Sequence, residues 1–302
     1  MLLPNQPLPS AIAPPTLLAP GADLFARRAA RFRHLAEGHR FASWLNWLAG
    51  LCTAQQHVSA LQPDFGLHLQ ADMSRLPTLL HAGQTSLQQA WPAAYAQLLE
   101  ALKTDATPEF QTQLAGLATM PPATLQAKAA DCLQVAAGQM PWNPRELSDL
   151  LVAAALQVVW TSAAHQAMPA QLGIPLPASD VCPCCGSAPL GSIVLAGDGK
   201  AGLRYLECSL CATRWNAVRA RCTLCEDGAV VNYLGLEGGS DAVQAETCDA
   251  CHGYIKTFFQ TKDSLLEPLA DDLASLALDV LVGEQGYARG APNLFLGATE
   301  PA

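Results

Sequence analysis

Charged residues are scarce in this sequence, and it has no basic surplus. Only 14% of the 302 residues are charged, against roughly 25% in a typical globular chain, while half are apolar. Such a composition can bury a sizeable core and argues against extensive disorder. The formal net charge of −9 is the opposite of the basic surface with which nucleic-acid binders displace counterions from phosphates. We predict a folded protein that has no nucleic acid among its partners.

The sequence also lacks an apolar run long enough to cross a membrane. The longest run, Leu151–Trp160, is about half the length that a bilayer requires and contains Gln157. Met1–Pro4 has no basic residue, and early prolines interrupt the apolar character expected of a secretory signal. We expect no membrane insertion and a cytoplasmic location, where paired cysteines are typically metal ligands rather than disulfides.

No catalytic constellation is recognisable. The seven histidines are scattered and accompany no Ser/His/Asp order, HExxH motif, phosphate-binding loop or dinucleotide fingerprint. We therefore predict that the protein is not an enzyme.

The first half of the chain shows helical periodicity. Residues 1–20 are rich in proline and are predicted to form an extended lead-in. Beyond them, apolar residues recur every three to four positions in segments rich in alanine and leucine, which favours helix. We predict an irregular helical bundle over 21–172, with helices at Leu24–Ala36, Phe41–Leu61, Ser86–Leu102, Ala123–Ala137 and Glu146–Met168.

The pattern changes at a boundary segment, Gly173–Ala178. Residues 173–262 hold short β-branched pieces, such as Ser192–Leu195 and Ala229–Tyr233, and nine of the eleven cysteines. This region is predicted to form ribbons rather than helices, which makes the fold class α+β.

A C-terminal amphipathic helix and a tail are predicted within 263–302. The helix should begin near Glu267-Pro268, because proline fits the first helical position. Its leucines share one face, and we expect the opposite face to be solvated, with Asp271, Asp272 and Asp279 on it.

Eight cysteines form four CxxC pairs that repeat with a period of 40 residues. Shifting the first two pairs by 40 superposes each of their cysteines on one of the second two pairs, which indicates an internal duplication. Each repeat, about 178–217 and 218–260, should carry its own complete site. Site one is predicted from Cys182, Cys185, Cys208 and Cys211, and site two from Cys222, Cys225, Cys248 and Cys251.

Two CxxC turns on a returning β-ribbon can surround one ion with four sulfurs. Thiolate-only tetrahedral sites select zinc or iron, and they leave no position for water or substrate. We therefore predict two metal ions that hold together ribbons with little core of their own. Cys52, Cys132 and Cys184 lie outside the repeat and are predicted to be non-ligands. His252 is a weaker candidate to replace Cys251, because the repeat already supplies four sulfurs.

Several strings around the cysteines resemble the FdhE family of formate dehydrogenase accessory proteins. The helical half is similar to that family too, so that the resemblance covers roughly 24–296. The main strings are Leu24-Phe25-x-Arg27-Arg28-Ala29-x-Arg31, Cys182-Pro183-x-Cys185-Gly186, Gly202-Leu203-Arg204-Tyr205-Leu206-x-Cys208-Ser209-Leu210-Cys211, Glu246-x-Cys248-Asp249-x-Cys251 and Glu267-Pro268-Leu269-Ala270-Asp271-Asp272.

The resemblance implies a cytoplasmic, chaperone-like maturation factor that active respiratory formate dehydrogenase requires. It implies the catalytic, molybdenum- or tungsten-containing subunit as the partner, and rubredoxin-like sites that hold iron in both four-cysteine sets. The spacing alone does not separate iron from zinc. One departure is Glu226, which follows Cys225 where the rubredoxin-like turn usually has glycine. Because glycine turns there without steric penalty, site two is expected to be more distorted or weaker.

Two alternative functions remain open from the sequence. Rubredoxin-like iron exchanges one electron, so the sites would suit a redox or electron-transfer module. Many zinc ribbons bind nucleic acid, and a basic-aromatic cluster near the second and third pairs would suit that function: Arg214, Trp215, Arg219 and Arg221. If these residues do not bind nucleic acid, they are expected to form a solvated linker with Trp215 packed on the ribbon. The surplus of acidic over basic residues across the ribbons weighs against nucleic-acid binding.

Overall fold

The computed structural model describes most of the chain. The described residues are 15–67, 80–104, 106–168, 171–172, 179–197, 201–218, 221–228 and 231–296. Among these residues, six helices of the first half share a hydrophobic core with strands of a nine-stranded sheet formed mainly by the second half. This arrangement confirms the predicted α+β fold class. The boundary segment 173–178, residues 1–14 of the lead-in and the tail 297–302 lie outside the described residues, so the predicted domain limits remain predictions.

In the described part of the helical half, the five predicted helices and one more are present. The helices are α1 (Leu24–Ala36), α2 (Ala42–Ser59), α3 (Thr85–Leu102), α4 (Pro108–Ala118), α5 (Pro122–Ala136) and α6 (Leu147–Ala167). The helix that periodicity missed is α4, which buries only Leu114. Two residues of types common at helix starts mark its beginning: Thr107 caps the amide of Phe110, and Pro108 occupies the first turn.

Helix α6 is the centre of the helical body. It is long and apolar enough to cross a membrane by length and composition, but most of it is buried inside the protein. That burial is typical of a core helix in a globular domain. Gln157, the polar residue within its apolar run, is satisfied there by donating to the Ser209 carbonyl at 2.9 Å.

The sheet unites the two cysteine repeats. Its strands are β1 (Leu17–Leu18), β2 (Gln171–Leu172), β3 (Pro189–Val194), β4 (Arg204–Cys208), β5 (Arg214–Asn216), β6 (Val231–Leu234), β7 (Val243–Cys248), β8 (Gly253–Phe259) and β9 (Ala288–Arg289). Strands β3, β4 and β5 form one antiparallel module, and β6, β7 and β8 form the other. The modules join through a parallel pairing of β3 with β8, in which Ile193 lies opposite Phe258.

The described end of the lead-in belongs to this sheet. Leu17 and Leu18, within the segment predicted as an extended lead-in, form β1, which pairs with both β5 and β2. Leu17 is buried in the main core, which includes residues of the helices. This part of the lead-in is therefore extended because it is a strand of the sheet. The proline content of the lead-in is not the reason.

The C-terminal helix differs from the prediction. It is divided at Ser275 into α7 (Pro268–Ala274) and α8 (Leu276–Glu284). The expectation that its aspartates are solvated is wrong, because Asp271 is 3% exposed and Asp272 is fully buried. The physical reason is that buried cations from distant segments pair with them, whereas the apolar Val280 and Leu281 face solvent.

Candidate metal centres

The structure brings the four cysteines of site one together. One CxxC turn precedes β3 and the other follows β4, so that antiparallel pairing of these strands places both turns at the same end of the module. Cys182 Sγ lies 3.7 Å from Cys211 Sγ, and Cys185 Sγ lies 3.4 Å from Cys208 Sγ. All four side chains are buried.

Site two repeats this construction on β6 and β7. Cys222 Sγ lies 3.9 Å from Cys251 Sγ, and Cys225 Sγ lies 3.8 Å from Cys248 Sγ. Cys222 and Cys248 are buried, but Cys225 and Cys251 are exposed. The grouping of cysteines that the period of 40 predicts is thus the grouping in space, although the two clusters differ in access to solvent.

Both clusters have the dimensions of a tetrahedral thiolate site. Metal–sulfur bonds of about 2.3 Å give a tetrahedron with sulfur–sulfur edges of about 3.8 Å. The ligand atoms of each set all lie within 4.8 Å of one another, and the sulfur pairs above lie close to that edge length. The all-sulfur donor set fits zinc or iron. Metal binding by these eight residues remains a prediction that the geometry accommodates.

Backbone amides point at the sulfurs. The amide of Cys184 donates to Cys182 Sγ and the amide of Leu224 donates to Cys222 Sγ, each at 3.4 Å. The amides of Leu210 and Cys211 both donate to Cys208 Sγ, also at 3.4 Å. Amide donors stabilise the negative charge of thiolates, which is the form that binds metal.

The residue after each CxxC pair has a positive φ. These residues are Gly186 (81°), Ala212 (54°), Glu226 (60°) and His252 (52°), and the last three are the non-glycine residues with positive φ in the described chain. The glycine-favouring position predicted for Glu226 is therefore real, and it is shared by Ala212 and His252. Glu226 is held there by Arg221, whose Nε donates to the Glu226 carbonyl at 2.7 Å. His252 adopts a left-handed backbone conformation, which histidine tolerates better than most residues do. The turn therefore explains its position beside Cys251.

The other cysteines lie outside both clusters. Cys52 and Cys132 are buried within α2 and α5, as predicted for core residues. Burial raises the pKa of the Cys52 thiol to about 12, which keeps it protonated. Cys184 is also buried, and its carbonyl accepts from the Leu80 amide at 3.0 Å. Its backbone thus connects the first turn of site one to the helical body.

The described members of the basic-aromatic cluster have partners within the protein. Trp215 is buried and donates to the Ser179 carbonyl at 2.9 Å. Arg214 pairs with Glu207, and Arg221 pairs with Glu226. Arg219 lies outside the described residues. Trp215 therefore packs against the ribbon, and the paired arginines offer little positive charge for a phosphate backbone.

A buried ion pair, which no local sequence pattern predicts, connects the two modules. Arg204 of β4 donates to Glu246 of β7 at 2.7 Å, and its side chain also donates to the Thr223 hydroxyl at 2.8 Å. Thr223 lies within the first turn of site two. Arg204 thus links the sheet of one module to the cysteine turn of the other. Only its presence in a string shared with the family could have drawn attention to it.

Three family models together match most of the chain. The model described as "FdhE, N-terminal" matches residues 13–174, "FdhE, central domain" matches 181–219, and "FdhE, C-terminal domain" matches 220–296. A Pseudomonas aeruginosa protein named "Protein FdhE homolog" is 37% identical over 98% of this chain and 97% of its own. A Stutzerimonas stutzeri protein of the same name is 36% identical over the same shares. The crystal structure of the FdhE protein from Pseudomonas aeruginosa is similar with a TM-score of 0.78 and 33% identity, covering 95% of this chain and 100% of that one.

Proposed function

The chain belongs to the FdhE family of formate dehydrogenase-related accessory proteins, and from that membership we propose that it binds the catalytic subunit of a respiratory formate dehydrogenase in the cytoplasm. The client is the molybdenum- or tungsten-containing subunit, and binding assists its maturation. The accessory protein presents a rigid surface to this client and performs no reaction of its own.

One observation carries this proposal. The eight repeat cysteines form two closed four-sulfur clusters that are part of a single sheet. A metal ion with four protein sulfurs has no position left for a substrate, so it acts by fixing the shape of the ribbon around it. The chain thus combines a large helical body with two metal-stabilised modules, which suits recognition of another protein better than catalysis.

We assign all eight repeat cysteines as metal ligands. Iron is the preferred ion because of the family resemblance, and zinc is the alternative because the donor set accepts either. Elemental analysis and a visible spectrum of freshly purified protein separate the two, since ferric iron bound by thiolates is coloured and zinc is not. Two ions per chain are expected. Fewer than one, with the sulfurs oxidised to disulfides, contradicts the assignment.

The link between metal and client binding is tested by replacing Cys182 and Cys185 together with serine. We expect the loss of one ion and weaker capture of the catalytic subunit in a co-purification experiment. Cys184→Ser is the matched control, because Cys184 lies in the same turn without belonging to the cluster. It should retain both ions and normal capture. Unchanged capture by the double variant after verified metal loss contradicts the proposal.

Electron transfer is the second candidate function, and one feature favours it. Two cysteines of site two, Cys225 and Cys251, are exposed residues, and at this end of the site an electron could pass between a bound iron and a docked partner. Reversible reduction of iron that changes the affinity for the client supports this function. Equal affinity of the oxidised and reduced protein for the client contradicts it.

A further inference from the structure

The two clusters differ in what covers them. Site one faces the helical body: its four sulfurs belong to the main hydrophobic core, which includes residues of all six helices. Backbone bonds hold it there, such as Leu80 amide to Cys184 carbonyl at 3.0 Å. Opening site one therefore requires separating a packed interface.

At site two, the position that corresponds to Ser209 of site one lies at the surface. The residue 40 positions after Ser209 is Asp249, which is exposed and accepts from the Tyr287 hydroxyl at 2.7 Å. By contrast, the Ser209 carbonyl is bonded to Gln157 in the core helix. Cys225 and Cys251 are exposed residues, so solutes can approach this end of the cluster without any unfolding of the body.

The hydroxyl groups near the sulfurs also differ between the repeats. The Ser187 hydroxyl oxygen lies 3.4 Å from Cys185 Sγ, and the Thr213 hydroxyl oxygen lies 3.2 Å from Cys211 Sγ. A hydroxyl at that distance can donate to a thiolate and stabilise its charge. The residues 40 positions later are Asp227 and Gly253. Aspartate and glycine carry no hydroxyl group, so these two hydroxyl donors have no counterpart at the corresponding positions of site two.

From these differences we propose that site two is an exchangeable metal centre, whereas site one retains its ion for as long as the helical body is folded. The inference rests on the proposed metal binding at both sites. Ligand exchange at a thiolate site proceeds through attack by an incoming ligand, and of the two sites only site two has exposed cysteine residues at which such a ligand can approach. The protein would then exist in a two-ion and a one-ion form, and the metal supply would set the balance between them.

The test uses full-length protein loaded with two zinc ions and mixed with excess EDTA at neutral pH. Native mass spectrometry follows the number of ions per chain, and iodoacetamide labelling with peptide mapping locates the freed thiols. We expect one ion to leave at least about tenfold faster than the other. In the one-ion form, labelling should be confined to Cys222, Cys225, Cys248 and Cys251. Loss of both ions at the same rate, or earlier labelling of the site one cysteines, overturns the proposal.

The two rates of ion loss are assigned with a matched pair of variants, Cys225→Ser and its counterpart 40 residues earlier, Cys185→Ser. The Cys225→Ser protein should lose the fast phase and keep the slow phase unchanged. If its remaining ion leaves at the fast rate, the assignment is overturned, and this holds whether or not Cys185→Ser folds. A wild-type protein that takes up no metal refutes the metal scaffold itself. Two ions with equal rates refute only the inequality of the sites.

Discussion

Arg31 of α1 and Asp271 of α7 form a buried two-point ion pair across 240 residues of sequence. Arg31 Nη2 lies 2.6 Å from Asp271 Oδ1, and Arg31 Nε lies 2.9 Å from Asp271 Oδ2. One turn away, Arg28 pairs with Glu267 at 2.9 Å. The two strings that carry the family resemblance at opposite ends of the chain are therefore bound to each other. Their charges hold the C-terminal helix against the helical body.

Replacing Arg31 with alanine should destabilise the protein by about 3–5 kcal/mol, the usual cost of breaking a buried pair by removing one partner. Burial raises the pKa of the Asp271 carboxyl to about 6 even beside Arg31. Without Arg31 the group must stay buried unpaired or take up a proton, and both are costly. Urea unfolding measures the change. Arg27→Ala is the control, because Arg27 pairs with Asp23 at the exposed surface, where about 0–1 kcal/mol is expected. Equal effects of the two substitutions would argue against a role for burial.

The Asp272 carboxylate is expected to contribute to the free energy of unfolding by an amount that depends on pH. Burial alone would raise the pKa of its carboxyl, but Arg289 and Lys256 lower that pKa to about 2. Because the unfolded value is about 3.9, the stabilisation is present above that pH and is lost as pH falls towards 2. Asp272→Asn should therefore cost about 2–3 kcal/mol at pH 7, since it removes one of the two carboxylates that Lys256 and Arg289 share and leaves them Asp279 alone.

The same comparison at about pH 3 should show a smaller difference, because wild-type Asp272 contributes less there. Urea unfolding of both proteins at the two pH values checks this, because any release of metal in acid affects the wild type and the variant alike. A difference that stays constant with pH would show that the carboxylate charge is not the source of the effect.

Gly191 allows the two modules to join. A Cβ atom at this position would lie 2.8 Å from the Lys256 carbonyl and 2.9 Å from the Phe258 ring, both on β8. Gly191→Ala should push β3 and β8 apart and destabilise the protein by about 1–3 kcal/mol. Gly50→Ala is the matched control, because nothing lies within 4 Å of the added methyl in α2, and a gain of about 0.5–1 kcal/mol is expected. Thermal unfolding followed by circular dichroism distinguishes the two. A neutral Gly191→Ala would mean that the strands can adjust.

The two cysteine sites should differ in what their loss does to the helices. Site one belongs to the main core, so replacing Cys182 and Cys185 with serine should lower the melting temperature of the helical signal. Replacing Cys222 and Cys225 should leave that signal largely intact, because their cluster lies at the surface end of the second module. Far-ultraviolet circular dichroism measures both. Equal losses of helical stability would contradict the separation between the sites.

Local patterns in the sequence predicted the elements well. Apolar spacing located five helices within a few residues of their ends, since a helix such as α1 buries one face at every turn. The 40-residue repeat predicted both sets of four cysteines, because a duplicated module repeats its turns as well as its residues. Helix α4 was not predicted, because it buries a single leucine and so shows almost no periodic pattern of apolar residues.

Spacing along short stretches of chain was enough to predict five helices, the repeat and the grouping of the cysteines. The burial of Asp272, the pairing of β3 with β8, and the covering of one cysteine cluster but not the other depend instead on how distant segments pack. Burial depends on which distant surface packs against a residue, and two modules with the same cysteine spacing receive different neighbours when one faces the helices and the other faces water.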